Sequence, residues 1–331
     1  RYVLGVLTIV YVFNFVDRQI LAILAQSIKT DLDLSDTQIG ALSGVAFGIF
    51  YATLGIPIAR LADKHSRVTI ISVCLALWSA MTALSGQATN FVQLLIARIG
   101  VGVGEAGGSP PSHSLIADYF PTDARASALG IYALGIPVGI LFGNLAGGWI
   151  DQFFGWRNAF LVVGIPGIAL AILLKMTVKE PPRGYSEGRT PSVEQIPFSE
   201  VLKTMWGFKS FRHLSMGAAT QAFVGYGAIA WMPSFLIRTH GMTTGEVGTA
   251  LGLIIGIAGG IGAAWVCDDD FEFWILGARI FNASEQNGVR IGCIASSNEQ
   301  AVGFINVVIA GRWGICTQCD FVAGHCTAHA K

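Results

Sequence analysis

The chain has 331 residues, 53% of them hydrophobic and 13% charged, and its mean hydropathy is strongly positive. That composition is too apolar for a soluble globule of this size and reads as a multi-pass membrane protein, with the lipid bilayer as its surroundings. Basic and acidic residues balance at 21 each, so net charge gives no reason to expect nucleic acid as a partner, and the informative charges are local.

Taking about 20 apolar residues per crossing, eight spans are predicted, at roughly residues 2–28, 39–59, 68–86, 91–117, 126–150, 159–178, 214–237 and 247–266. The first span opens directly at Arg1, with no methionine and no cleavable signal segment, and the expectation is that a short tail precedes it. Within it, Asp17 and Arg18 stand side by side, and Asn14 lies three and four residues before them, on the same helix face. An ionisable side chain at mid-membrane costs roughly 2.5 to 3.5 kcal/mol on insertion scales, so such residues mark a solvated or paired interior.

The second span carries glycines at spacing four, Gly40, Gly44 and Gly48, and ends in the hairpin Arg60-Leu61-Ala62-Asp63-Lys64-His65-Ser66-Arg67. The fourth contains a second charged pair, Arg98 and Glu105, with Gly100, Gly104 and Gly108; the fifth contains Gly135, Gly139, Gly143 and Gly147. Such stripes let helix backbones approach closely where lipid supplies no hydrophobic drive to associate, and they suit static packing and sliding equally. Gly102 to Gly107 happens to satisfy G-x-G-x-x-G, but a dinucleotide site needs a strand before that pattern and a helix opening after it, so no cofactor is expected.

Residues 179–209, with four prolines among polar residues, form a linker between an N-terminal six-helix bundle at 1–178 and the first two helices of a second bundle at 210–266. Gln38-Ile39-Gly40 with Gly44 and Gly48 recurs as Glu246-Val247-Gly248 with Gly252 and Gly256, an offset of 208 residues that makes the chain two repeated halves. The same offset sets Gly225 and Tyr226 opposite Asp17 and Arg18, so the charged residues belong to the first half alone.

Residues 267–331 differ in texture: an acidic run at Asp268 to Asp270, five of the six cysteines, and no apolar stretch long enough to cross. They read as the aberrant, frame-shifted end of a truncated product in preference to a soluble extension, leaving the second bundle incomplete. Cys316, Cys319, Cys326 and His329 mimic zinc-ligand spacing, with His325 adjacent, yet the loop between ligand pairs is short and no metal is expected. Asn282-Ala283-Ser284 fits a glycosylation sequon that the topology would place in the cytoplasm. With the N-terminus cytoplasmic, eleven basic residues fall in inner loops against Lys29, Arg157 and Arg238 outside, which sets the orientation.

The hairpin resembles the loop signature of the major facilitator superfamily, roughly G-x-L-A-D-R-x-G-R-R. Leu61, Ala62, Asp63 and Arg67 match and Lys64 replaces arginine, while Ala59 and Ser66 stand at usual glycines. Arg98 with Gly102 and Gly104 is similar to the family's second signature, and Gly135, Pro137 and Gly139 to its exporter bend motif. The string from Arg98 to Ala106, with Asp17-Arg18 and Asp118-Tyr119-Phe120-Pro121, resembles the Spinster branch, over about residues 1–264. The resemblance implies an all-α major facilitator fold and secondary active transport of a small-molecule or lipid-like substrate by alternating access, with protons as the coupling ion and lysolipid or sphingoid-like cargo as the facilitative alternative.

Arg98 and Glu105, seven residues apart, face the same way about 10 Å apart along the helix. Counting depth along each span places Asp17 level with Arg98, so those two are expected to meet, with Glu105 one or two turns nearer the cytosol. Burial disfavours a carboxylate's charged form and a neighbouring arginine favours it, which is the balance a proton-coupled carrier needs. The resemblance carries roles in proton coupling and substrate handling onto Asp17, Arg18 and Glu105; ion pairs that merely dock helices one and four are the competing reading. Arg60, Asp63, Lys64 and Arg67 would act at the cytoplasmic gate, making contacts in one rocking state that break in the other. No nucleophile, base and orienter set points to an enzyme.

Overall fold

The computed structural model describes residues 1–187 and 198–261, with the backbone of 291–292 and 308–309. The chain divides into two units, Arg1–Cys267 and Asp268–Lys331. In the second, the described backbone is a two-residue antiparallel pair, Ile291–Gly292 with Val308–Ile309. Cys316, Cys319, His325, Cys326, His329 and the sequon at Asn282 lie outside the described residues.

The first unit is a succession of long helices: α1 (Tyr2–Asp31), α2 (Asp36–Lys64), α3 (Arg67–Ser85), α4 (Phe91–Tyr119), α5 (Thr122–Phe154), α6 (Trp156–Thr177), α7 (Lys209–His240) and α8 (Thr244–Ile261). Seven helices among the described residues are long and apolar enough to cross a membrane, one fewer than predicted. The exception is α7, which is 32 residues long but is diluted by Gln221, Gly225, Tyr226, Gly227 and Pro233. A short helix, Phe198–Gly207, precedes it.

α1 holds the first six helices together, because its middle is buried on nearly every face. It runs parallel to α5 in a register fixed by glycine. A Cβ placed at Gly135, Gly139, Gly143 or Gly147 would strike Tyr11, Phe15, Gln19 or Ile23 in turn. One step further on, Ser27 Oγ donates to Asp151 Oδ2 at 2.6 Å, at the same offset of 124 residues. Gly104 accepts Trp78 and Gly164 accepts Ser79 and Ala83 in the same manner, closing α3 against α4 and α6. The glycines of α8 meet α5: Gly248 abuts Asn144 and Gly148, Gly252 faces Leu141 and Leu145, and Gly256 faces Leu141 and Pro137. Gly44 and Gly48 of α2 have nothing within 4 Å of an added Cβ, so that stripe is open.

Helices α2 and α8 share their local construction. Each starts with a capping box, Ser35 with Gln38 and Thr243 with Glu246, in which the hydroxyl accepts from the third amide and the third side chain returns to the cap amide. Each then loosens into a π-helical segment, Ala41–Val45 in α2 and Gly252–Ile257 in α8. α4 is interrupted: its first segment ends at Glu105, residues 106–108 turn, and a second segment runs Ser109–Tyr119. Pro110 and Pro111 have no amide hydrogen to bond back across Ala106 to Gly108, so they can open a helix and cannot continue one. The G-x-G-x-x-G string thus lies at a helix break, where the sequence reading expected a continuous span.

Below, the near side is the one where α1 begins at Tyr2 and the far side the one where it ends at Asp31.

Candidate functional site

Four ionisable side chains converge halfway along α1. Asp17, Arg98 and Glu105 are almost completely buried, and Arg18 is partly so. The ion pair that forms is Arg18 with Glu105, Nε donating to Oε2 at 2.7 Å. Asp17 and Arg98, expected to meet, form no ion pair among the described residues, although they lie within electrostatic reach of each other. Depth counted at Cα ignores the length of the arginine stem. A helical side chain leans toward the helix N-terminus, so Arg18 reaches the near-side level of Glu105 although its Cα lies beyond that of Asp17.

Three aromatic rings surround the guanidinium: its carbon lies 5.0 Å from the centroid of Phe15, 5.3 Å from Phe47 and 4.9 Å from Tyr51. Ring faces attract a cation and shield it from competing water, so this cage holds Arg18 in addition to Glu105. Arg18 Nη1 also donates to the hydroxyl of Tyr226 on α7 at 3.4 Å, a long contact. Asn14 interacts with Glu105 through its side chain. Asp17 faces Trp78 and Thr82 of α3 and is within electrostatic reach of Glu105 and Arg98.

Polar capacity is left over inside this cluster. Asp17 Oδ1, Glu105 Oε1, Arg98 Nε and Nη1, Trp78 Nε1 and Thr82 Oγ1 are all buried without a hydrogen bond of good geometry. Buried polar atoms are ordinarily paired, and orphans concentrate where a structure changes partners. Arg98 and Glu105 share one helix and one face, so a shift of one side chain could exchange the Arg18–Glu105 pair for one with Arg98.

The hairpin residues separate into two groups. Arg67, the first residue of α3, is fully buried: Nε donates to Glu180 at 2.7 Å, Nη1 to Asp118 at 2.5 Å and to Ser114 Oγ at 2.8 Å, and Nη2 to the carbonyl of Pro181 at 3.2 Å. Glu180 accepts from Ser66 Oγ and the Val68 amide, each at 2.9 Å, and Asp118 accepts from the Gly184 amide at 3.0 Å. Every one of these partners belongs to α3, its cap residue Ser66, α4 or the segment after α6, so among the described residues Arg67 braces one bundle and forms no hydrogen bond or ion pair with α7 or α8. Arg60, Asp63 and Lys64 are exposed, and Asp63 and Lys64 form no ion pair among the described residues.

A second set of charges closes the far side. Arg238, near the end of α7, donates to Asp36 at 2.7 and 3.2 Å and to Gln26 at 2.7 Å, while Lys29 also reaches Asp36 at 2.7 Å. In the sequence, Arg238 and Lys29 carry only an orientation signal, and nothing in their spacing announces this lock. Phe15, Phe47, Tyr51, Trp78 and Thr82 were missed as well, since single aromatic and hydroxyl residues in apolar spans carry no spacing signal. Tyr226 had one: it is the repeat mate of Arg18, 208 residues on.

The sequence profile of the Major Facilitator Superfamily matches residues 7–281. An MFS-type efflux pump of Mycolicibacterium smegmatis is 38% identical over 264 residues, covering 78% of this chain and 59% of that protein. Protein spinster of Drosophila melanogaster is 32% identical over 266 residues, 78% of this chain and 43% of that protein. Among solved structures, a bacterial homolog of the human lysosomal transporter Spinster, in an inward-facing and unoccupied conformation, superposes with a TM-score of 0.71 at 40% identity, over 79% of this chain and 60% of that one. The chain thus spans about half the length of these relatives. With its profile match running through all eight helices and its fold shared with a Spinster homolog, the chain belongs to the major facilitator superfamily of membrane transporters and is Spinster-like within it.

Proposed function

We propose that the chain carries the ion-coupling half of a secondary active transporter that moves a small or amphipathic organic solute by alternating access, driven by protons. The observation that supports this most is the buried quartet of Asp17, Arg18, Arg98 and Glu105, in which one ion pair is made and acceptor and donor atoms stand ready for another. A proton delivered to Glu105 removes the charge that holds Arg18 and frees it to change partners, which links protonation to geometry. The efflux name of one relative fits export.

On this reading the near side is cytoplasmic, since the excess of basic residues lies there. The lock of Arg238 on Asp36 and Gln26 then closes the outer mouth. The near half of α7 is exposed, with Met216, Phe223 and Val224 uncovered, as in a cavity open to the cytoplasm. Exposed Asp63 and Lys64 are the hairpin groups left to engage the second bundle when that mouth closes, while Arg67 stays in its brace. A full-length relative carrying Asp17→Asn or Glu105→Gln, reconstituted in vesicles, should lose uptake driven by a pH gradient and keep substrate binding. Undiminished gradient-driven transport in both variants would exclude Asp17 and Glu105 as the coupling site, and a parent protein whose uptake ignores the gradient would leave the facilitative carrier.

A further inference from the structure

The helix Phe198–Gly207 sits immediately before α7, separated from it by Phe208 alone, whose backbone is extended. At 100° per residue, Val201, Leu202, Met205 and Trp206 fall within one arc of about 140°, while Glu200, Lys203 and Thr204 occupy the opposite side. None of the four apolar residues is covered: they are 37%, 47%, 40% and 57% exposed, and the adjoining Phe208 is 62% exposed. The nearest aromatic neighbour of Trp206 is Phe211 of α7, edge-on at 6.4 Å.

The position of the helix says what meets this face. α7 lies against α1 from Tyr226, which meets Arg18, to Arg238, which meets Gln26. By the 208-residue offset its first residue, Lys209, is the mate of Arg1, the cap of α1. The short helix therefore ends at the level where membrane crossing starts. Its flanks are basic, with Lys203, Lys209 and Arg212 against Glu200. A clean apolar arc, a tryptophan at its edge and neighbouring cations are what a helix needs to lie in the plane of an anionic leaflet.

We infer that Phe198–Gly207 is a membrane-surface anchor that seats Val201, Leu202, Met205 and Trp206 at the headgroup–acyl boundary of anionic phospholipid and holds the near end of α7 at fixed depth. The inference rests on α7 lying along α1, a helix long and apolar enough to cross a membrane, and not on proton coupling, so a failed coupling test leaves it standing.

The test places a nitroxide at Met205→Cys or Lys203→Cys in the full chain, with its six native cysteines changed to serine, in vesicles of phosphatidylcholine with and without phosphatidylglycerol. The expected result is a reversal: position 205 collides with oxygen in preference to a water-soluble nickel chelate, position 203 does the opposite, and phosphatidylglycerol strengthens the contrast. Nickel-dominated collisions at 205 would show the helix in water and overturn the inference. Closure of 205 to both reagents would overturn it too, because another protein surface would then cover the face. Independently of labelling, Trp206→Phe in the otherwise unmodified chain should remove a fluorescence component quenched by phosphatidylcholine brominated near the headgroup end of its chains. Unchanged quenching there refutes the anchor.

Discussion

Replacing Arg67 by glutamine should be among the most damaging single changes at the near side. The guanidinium is 1% exposed and its two carboxylate partners, Asp118 and Glu180, are 14% and 30% exposed. Removing one member of a buried charge pair costs about 3 to 5 kcal/mol, because the partner stays buried without its counter-charge. Water reaches part of Glu180, and Ser66 and the Val68 amide still donate to it, so its share is discounted and the loss is placed at about 3 kcal/mol. At roughly 2 to 4 °C per kcal/mol for a chain of this size, the expected fall in Tm is about 6 to 12 °C. Thermal unfolding in one detergent, followed by helical circular dichroism, measures it. Arg67→Lys keeps the charge and loses the fork that reaches Asp118, Glu180 and Pro181 together, so it should fall between. Asp63→Asn, in the same hairpin but exposed, should stay within about 0.5 kcal/mol of the parent. A loss below about 1 kcal/mol for Arg67→Gln, or an equal loss for Asp63→Asn, would refute the assignment of Arg67 as brace.

Two further outcomes follow from the seams between α7, α8 and the first six helices. Gly248→Ala drives a methyl group into Asn144 and toward the Gly148 Cα at 3.2 Å, so it should destabilise by about 1 to 3 kcal/mol, whereas Gly44→Ala meets nothing within 4 Å and should be neutral or slightly stabilising; equal Tm values for the two would contradict the packing. Arg238→Gln releases the far-side lock. The side chains of Arg238 and Asp36 are 35% and 49% exposed, so solvent screens their pair and its loss should have a modest effect. The closed population should fall, read as a shift toward longer distances between spin labels at Asp33 and Gly241, and an unchanged distribution would show that other contacts close that side.

The parts of this fold legible in the sequence were those encoded by repetition. Glycine at spacing four in α5 and α8 gave the packing faces, because adding a methyl at such a site is a steric fact independent of context. The offset between Gln38 and Glu246 proved to mark matching capping boxes, so it reported backbone construction beyond small-residue composition. What could not be read was the behaviour of long side chains. Asp17 and Arg98 were assigned to each other from Cα depth, while the structure pairs Arg18 with Glu105 by using the length and lean of an arginine stem. Arg67 likewise looked like one of four equivalent hairpin charges. Its difference from Asp63 depends on Asp118 and Glu180, residues 51 and 113 positions away, which only the folded chain brings to it. The break after Glu105 had a local signal, Gly107-Gly108 followed by Pro110-Pro111, that apolar continuity concealed.

The Arg18–Tyr226 contact bears on how a change in the quartet could reach α7 and α8. The two residues are mates under the repeat, and mates that touch must lie close to the axis relating the halves, which in a two-bundle transporter runs through the cavity between them. Asp17, Arg98 and Glu105 act on one another and on α1 and α3, whereas Arg18 is the member of the quartet that also reaches α7 among the described residues. On the proposed reading, a proton taken up at Glu105 would be felt by α7 through Arg18, whose hold on Glu105 is short and whose hold on Tyr226 is long at 3.4 Å. If Glu105 releases the guanidinium, the aromatic cage of Phe15, Phe47 and Tyr51 keeps it near the axis, where Tyr226 is the adjacent acceptor. Coupling would then consist in tightening a contact already in place, a small movement at the point where a rocking motion has the least displacement to transmit.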